Sequence, residues 1–111
     1  MSNLVHFSGS LDTLKTLVHK SASLVVVDFY ANWCGPCRHL APHFEQMSKE
    51  FPKIPFLKVN VDESPEISDH FGITSIPTVK GLKYAEEGIK EVGSVVGFNP
   101  SGIKSMIESN V

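Results

Sequence analysis

Two cysteines three residues apart, Cys34 and Cys37, are the side chains whose type and spacing point most directly to chemistry. They are the only cysteines in 111 residues, too few for a disulfide-built secreted scaffold. A bond between them closes a tiny loop, and loop-closure stabilisation grows with loop length, so the pair is a poor staple. Thiol–disulfide exchange explains it better. The tetrapeptide Cys34-Gly35-Pro36-Cys37 stands between an apolar stretch and a segment of helical periodicity. A helix N-terminus offers unpaired N–H groups and partial positive charge. Both favour a thiolate over a thiol. Cys34, at the mouth of the helix, is therefore the expected nucleophile. Cys37, one turn later, has its sulfur on the same side. Cys34 would attack a substrate disulfide, and Cys37 would then attack Cys34 and release the reduced substrate. Pro36 removes a backbone donor and stiffens the turn, which bears on the redox poise.

A structural zinc site is the competing reading, because His39 and His43 follow closely. On a helix, however, His39 lies about 200° round from Cys37 and His43 about 240°. Neither converges on the sulfurs, and both histidines are read as helix-surface residues. Asp28 follows four apolar residues inside a strand pattern. If buried, its carboxyl has a raised pKa and can take the Cys37 proton as that thiol attacks. If it sits at a strand end, it meets water or a backbone donor. The residues alone leave both readings open.

The elements that must position these groups follow from periodicity. Residues 4–7 read as a short strand. Ser10 caps a helix with Leu11, Leu14, Leu17 and Val18 on one face. Residues 24–30 begin Leu-Val-Val-Val without alternation, as in a parallel strand covered on both faces. Residues 35–51 read as a helix through Leu40, Phe44, Met47 and Phe51, kinked at Pro42. Residues 56–61 form another strand. Ser64-Pro65 starts a short helix that Gly72 ends. A strand begins at Ile76-Pro77-Thr78-Val79, turns at Glu87-Gly88 and returns over 89–96. Asn99-Pro100 caps a last helix carrying Ile103, Met106 and Ile107. The order βαβαβαββα predicts an α/β fold. About five strands form a mixed sheet flanked by about four helices on both faces, in a single domain over 1–111.

Composition bounds the function. Apolar residues make up 41% and charged residues 20%, as in globular proteins. A net charge of −2 lacks the basic excess of a nucleic-acid binder. No stretch approaches the ~20 apolar residues of a membrane helix. The first residues show no basic lead followed by an apolar run, so no signal peptide is expected.

Val27-Asp28-Phe29-Tyr30-Ala31-Asn32-Trp33-Cys34-Gly35-Pro36-Cys37, followed by Ala41-Pro42 and Ile76-Pro77-Thr78, resembles the thioredoxin family. The similarity runs from residue 4 to residue 109. It implies the thioredoxin fold and a protein-disulfide reductase, reloaded from NADPH by a flavoprotein thioredoxin reductase and needing no bound cofactor or metal. It implies that Asp28 is the family's buried aspartate, moving protons for Cys37, and that Lys58 pairs with and tunes it. Pro77 corresponds to the family's cis-proline, although only ~5–6% of X-Pro bonds are cis; trans is the reading from the residues alone. The cis form would free Ser75 and Ile76 backbone groups to pair with a client strand. Trp33, which composition alone would bury, is placed by the resemblance on an exposed apolar rim. Gly35, Pro36, Ile76, Pro77, Val96 and Gly97 share that rim, with Val61 beside them. Phe29 and Tyr30 read as framework. Peroxiredoxin, ribonucleotide reductase and methionine sulfoxide reductase are the implied client types, and a cytoplasmic monomer is expected, binding neither nucleic acid nor membrane.

The chain departs from the family between Pro77 and Gly97, where it is a few residues longer. Val79-Lys80-Gly81-Leu82-Lys83-Tyr84 replaces a strong apolar run. Either the strand bulges or the hairpin loop is extended. Arg38 keeps the positive charge of a lysine commoner in the family. The competing function is a non-catalytic binding or chaperone module that uses the same apolar rim.

Overall fold

The computed structural model describes residues 2–111. The apolar run that carries Asp28 becomes the central strand β2 (Val25–Tyr30), buried from Val25 to Phe29. An apolar run without alternation needs cover on both faces, and a core forms on each. The remaining elements are β1 (Leu4–His6), α1 (Leu11–Lys20), α2 (Gly35–Glu50), β3 (Phe56–Asn60), α3 (Pro65–His70), β4 (Thr78–Ala85), β5 (Gly88–Val96) and α4 (Pro100–Glu108). This is the βαβαβαββα order expected. On one face Val26 packs with Leu40 and Phe44 of α2 and with Ile103 and Ile107 of α4. On the other, Val25, Val27 and Phe29 pack with Leu14 and Val18 of α1 and Ile67 of α3.

The sheet runs β1-β3-β2-β4-β5. β3 pairs in parallel with both β1 and β2. β4 pairs antiparallel with β2 and with β5. Asn60 closes β3 one residue early, because its Oδ1 accepts the Asp62 N–H at 2.9 Å and turns the chain. α2 runs through Pro42 to Glu50 as one helix.

Ser10 and Asn99 cap as expected, accepting the N–H groups of Thr13 at 3.1 Å and Gly102 at 3.0 Å. Ser64 does not. It holds the N-cap position of α3, but its side chain makes no capping bond. Gly72, at φ 64, ends that helix.

Between Pro77 and Gly97 the hairpin carries a bulge, and its turn is short. Ala85 pairs with Gly88 across a turn of only Glu86 and Glu87. Gly81 faces Gly93 while Leu82 faces Glu91, so Val92 of β5 is the extra residue. Gly81 and Gly93 together form a socket for Met106 of α4. A Cβ on Gly81 would stand 2.8 Å from the Met106 sulfur, and one on Gly93 would strike Met106 Cγ. Lys80 does not weaken the strand. It is buried, with its ammonium 2.8 Å from Glu91 and 3.3 Å from the Ser94 hydroxyl.

Candidate active site

The chain leaves β2, turns through Ala31-Asn32-Trp33 and enters α2 at the dithiol. Cys34 is the N-cap of α2, and the Cys37 N–H donates to its sulfur at 3.2 Å. One otherwise orphaned helix donor is thus aimed at the expected nucleophile. Arg38 steadies the approach, its Nη1 donating to the Asn32 carbonyl at 3.0 Å. Cys34 and Cys37 form a disulfide, with Cα atoms 5.2 Å apart. Both are buried with Ala31, against Tyr30, Val61 and Ile76.

Ile76 and Pro77 join through a cis bond, so the trans reading from the residues alone is set aside. The Ile76 carbonyl oxygen lies 3.7 Å from Cys34 Sγ. Pro77 itself is buried, while Ser75 is exposed and Ile76 half-buried. The Gly97 N–H donates to the Pro77 carbonyl at 2.8 Å, bringing Val96 and Gly97 alongside. Gly97 adopts φ 89, which only glycine holds without strain, and open space surrounds its α-carbon.

Asp28 alternates with Val27 and Phe29, so its side chain points to the α2 side of the sheet, where Cys37 is buried. The carboxyl is fully buried and neither oxygen has a hydrogen-bond partner. Burial raises its pKa from 3.8 to about 7, against the opposing pull of the Lys58 charge. The strand-end reading of Asp28 is therefore excluded. Lys58 is its register neighbour on β3. Lys58 does not form an ion pair with it; the ammonium sits 4.4 Å over the Tyr30 ring. Lys58 acts on Asp28 through its field. Cys37, Lys58, Tyr30 and His6 line a cavity of about 200 Å³ that opens the inner side of the dithiol.

Trp33 is 69% exposed, on the rim and not in the core. Its Nε1–H donates to Asp62 at 2.9 Å. Asp62 escapes a sequence reading, because this bond joins two loops 29 residues apart and no local pattern marks it. Pro36 and Val96 are also exposed, with Gly35 and Gly97 half-buried beside them. His39 and His43 are exposed and turn edge-on to Phe98, at 6.4 and 5.5 Å between ring centroids. Among the described residues no group of three or more His, Cys, Asp or Glu is placed to hold a metal ion. No helix among them is long and apolar enough to cross a membrane.

Known proteins share this arrangement. The family model described as Thioredoxin matches residues 7–109. Thioredoxin 1 of Plasmodium falciparum is 45% identical over 85 residues, covering 77% of this chain and 78% of its own. The structure of Trichomonas vaginalis thioredoxin superposes with a TM-score of 0.90 at 34% identity, covering 98% of both chains. A chain 30% identical, with a TM-score of 0.85 and coverage of 98% and 99%, comes from work on thiol resolution in yeast mitochondrial 1-Cys peroxiredoxin by the glutathione and thioredoxin systems. With a disulfide at the head of α2 and a cis-proline against it, the chain belongs to the thioredoxin family, thiol–disulfide oxidoreductases that act by dithiol–disulfide exchange.

Proposed function

We propose that this chain works as a reductase of protein disulfides in the cytosol, as a monomer and a single domain over residues 1–111. Its electrons come from NADPH through a flavoprotein thioredoxin reductase. The observation that carries this reading is the Cys37 N–H directed at the Cys34 sulfur in the first turn of α2. The same donor and the helix dipole stabilise a thiolate there once the disulfide is reduced.

The Cys34 thiolate attacks one sulfur of a client disulfide. A Cys34–client disulfide forms, and the other client sulfur leaves as a thiolate. Asp28, poised near neutrality, takes the proton of Cys37. The Cys37 thiolate then attacks Cys34, closing the Cys34–Cys37 disulfide and expelling the second client sulfur. Two electrons pass to the client. Lys58 holds Asp28 low enough to serve as a base at neutral pH. Gly35 and Pro36 shape the turn between the sulfurs. The client segment lies against Ser75, Ile76 and Pro77, and Trp33, Val96 and Gly97 flank it as the apolar rim. Peroxiredoxin is one client type, a reading supported by the similarity to the chain from the peroxiredoxin work. Ribonucleotide reductase and methionine sulfoxide reductase are others by family likeness.

The test is insulin reduction driven by NADPH and thioredoxin reductase. Turnover by the wild type and none by Cys34→Ser supports the reading. Turnover by Cys34→Ser overturns the mechanism, and none by the wild type favours the binding module. A strongly oxidising potential in a redox titration excludes the reductase role.

A further inference from the structure

Asp28 does not stand alone on the α2 side of the sheet. His6 of β1, Lys58 of β3 and Asp28 of β2 are register partners in turn. Side chains paired in this way share one face. The row runs from exposed His6 through half-buried Lys58 to fully buried Asp28, and Val79 ends it on β4. Tyr30, two residues beyond Asp28, projects from the same face.

Lys58 has two places to put its charge, the carboxylate of Asp28 and the ring of Tyr30. It takes the ring. Its Nζ stands 4.4 Å from the Tyr30 centroid, and neither Asp28 oxygen has a hydrogen-bond partner. An ammonium on the face of a half-buried ring keeps part of its water, whereas pairing with a buried carboxylate requires giving it up. The ring itself is held. Its hydroxyl lies 3.3 Å from His6 Nδ1, and the two rings meet edge-on at 6.3 Å between centroids. Burial first, and the Glu63 charge second, raise the pKa of the phenol, so the ring stays neutral. Arg38 lines the same cavity, but its guanidinium is tied to the Asn32 carbonyl. On the other sides of Asp28, β4 brings the apolar Val79 and α2 the buried Cys37.

We propose that Tyr30, braced by His6, is a positioning residue for the exchange reaction: its ring holds the Lys58 ammonium off Asp28 and so keeps this carboxyl basic enough to accept the Cys37 proton. This assignment rests on the proton transfer of the proposed function and adds the side chains that set its strength. Tyr30 itself exchanges no proton.

The experiment follows the Asp28 side-chain carboxyl by carbon NMR through a pH titration of the oxidised chain. Without the ring the ammonium falls to the carboxylate, and an opposite charge at that range favours the charged form. Tyr30→Leu is therefore expected to lower the Asp28 midpoint by about one pH unit. Tyr30→Phe keeps the ring face and loses only the hydroxyl contact to His6, so its shift should have the same sign and be clearly smaller. In the Lys58→Met background, Tyr30→Leu should leave the midpoint where Lys58→Met alone puts it. An unmoved midpoint in Tyr30→Leu overturns the proposal. So does an equal fall in the Lys58→Met background, which marks entering water and not a released ammonium. The wild type supplies a check that needs no substitution. The Lys58 ε-methylene protons should be shifted upfield by the Tyr30 ring, and values typical of an unfolded chain overturn the proposal. These readings need neither client nor reductase, so their failure is separate from absent insulin turnover, which overturns the proposed function.

Discussion

Asp28 makes two measurable demands because its carboxyl is buried without a partner. The first is kinetic. Asp28→Asn should slow resolution by Cys37 at least tenfold and leave the first attack by Cys34 nearly unchanged, consistent with general-base contributions of about 10²–10⁴. Stopped-flow trapping of the mixed disulfide reads both steps, and equal slowing would remove Asp28 from the proton transfer. In the wild type the resolving step should accelerate as pH rises through about 7, where Asp28 becomes the carboxylate. The second demand is thermodynamic. With its pKa raised from 3.8 to about 7, folded Asp28 holds a proton that the unfolded chain releases. Its contribution to stability is fully present below about 4 and is lost as pH rises through about 7. Urea unfolding of the oxidised protein should show stability falling there by up to about 1.4 kcal/mol per pH unit, and Asp28→Asn should flatten the slope.

Elements that read clearly in the sequence are those whose cause is local. Leu24-Val25-Val26-Val27 had to be a strand covered on both faces, and Leu40, Phe44 and Met47 mark one face of α2. The caps at Ser10 and Asn99 are equally local. What stayed hidden depends on distant partners. The Gly81–Gly93 socket makes sense only once Met106 is known to fill it. Lys80 looks like a flaw in an apolar strand until Glu91 and Ser94 meet it across the sheet. Asn3 is unremarkable in the sequence, yet its amide donates to the carbonyls of Ser48, Phe51 and Ile54 and ties β1 to the end of α2. Asn3→Ala should cost about 1–3 kcal/mol by leaving partly buried carbonyls without a donor. Gly93→Ala should cost a similar amount by displacing Met106. Denaturant unfolding measures both. Neither variant should move the acidity of Cys34, since neither residue touches the head of α2, and a shifted thiol titration would refute that separation.

Across the whole molecule, the sheet brings three distant segments to one end of α2. The β2–α2 turn brings the sulfurs, the 75–77 segment the Ile76 carbonyl beside Cys34, and the Val96–Gly97 turn a glycine with open space where a side chain would stand. The sequence shows the sulfurs directly, but the docking rim only through family likeness, since its members lie far apart along the chain. Cys37→Ser should accumulate a Cys34–client mixed disulfide, visible as an added client mass that a strong reductant removes. Failure to trap any such species would contradict the assignment of Cys37 as the resolving thiol. The most direct measurement of the central claim is the ultraviolet titration of the Cys34 thiol in reduced Cys37→Ser. A thiolate held by the first turn of α2 ionises well below the ~8.5 of free cysteine. Ionisation at or above that value would contradict it.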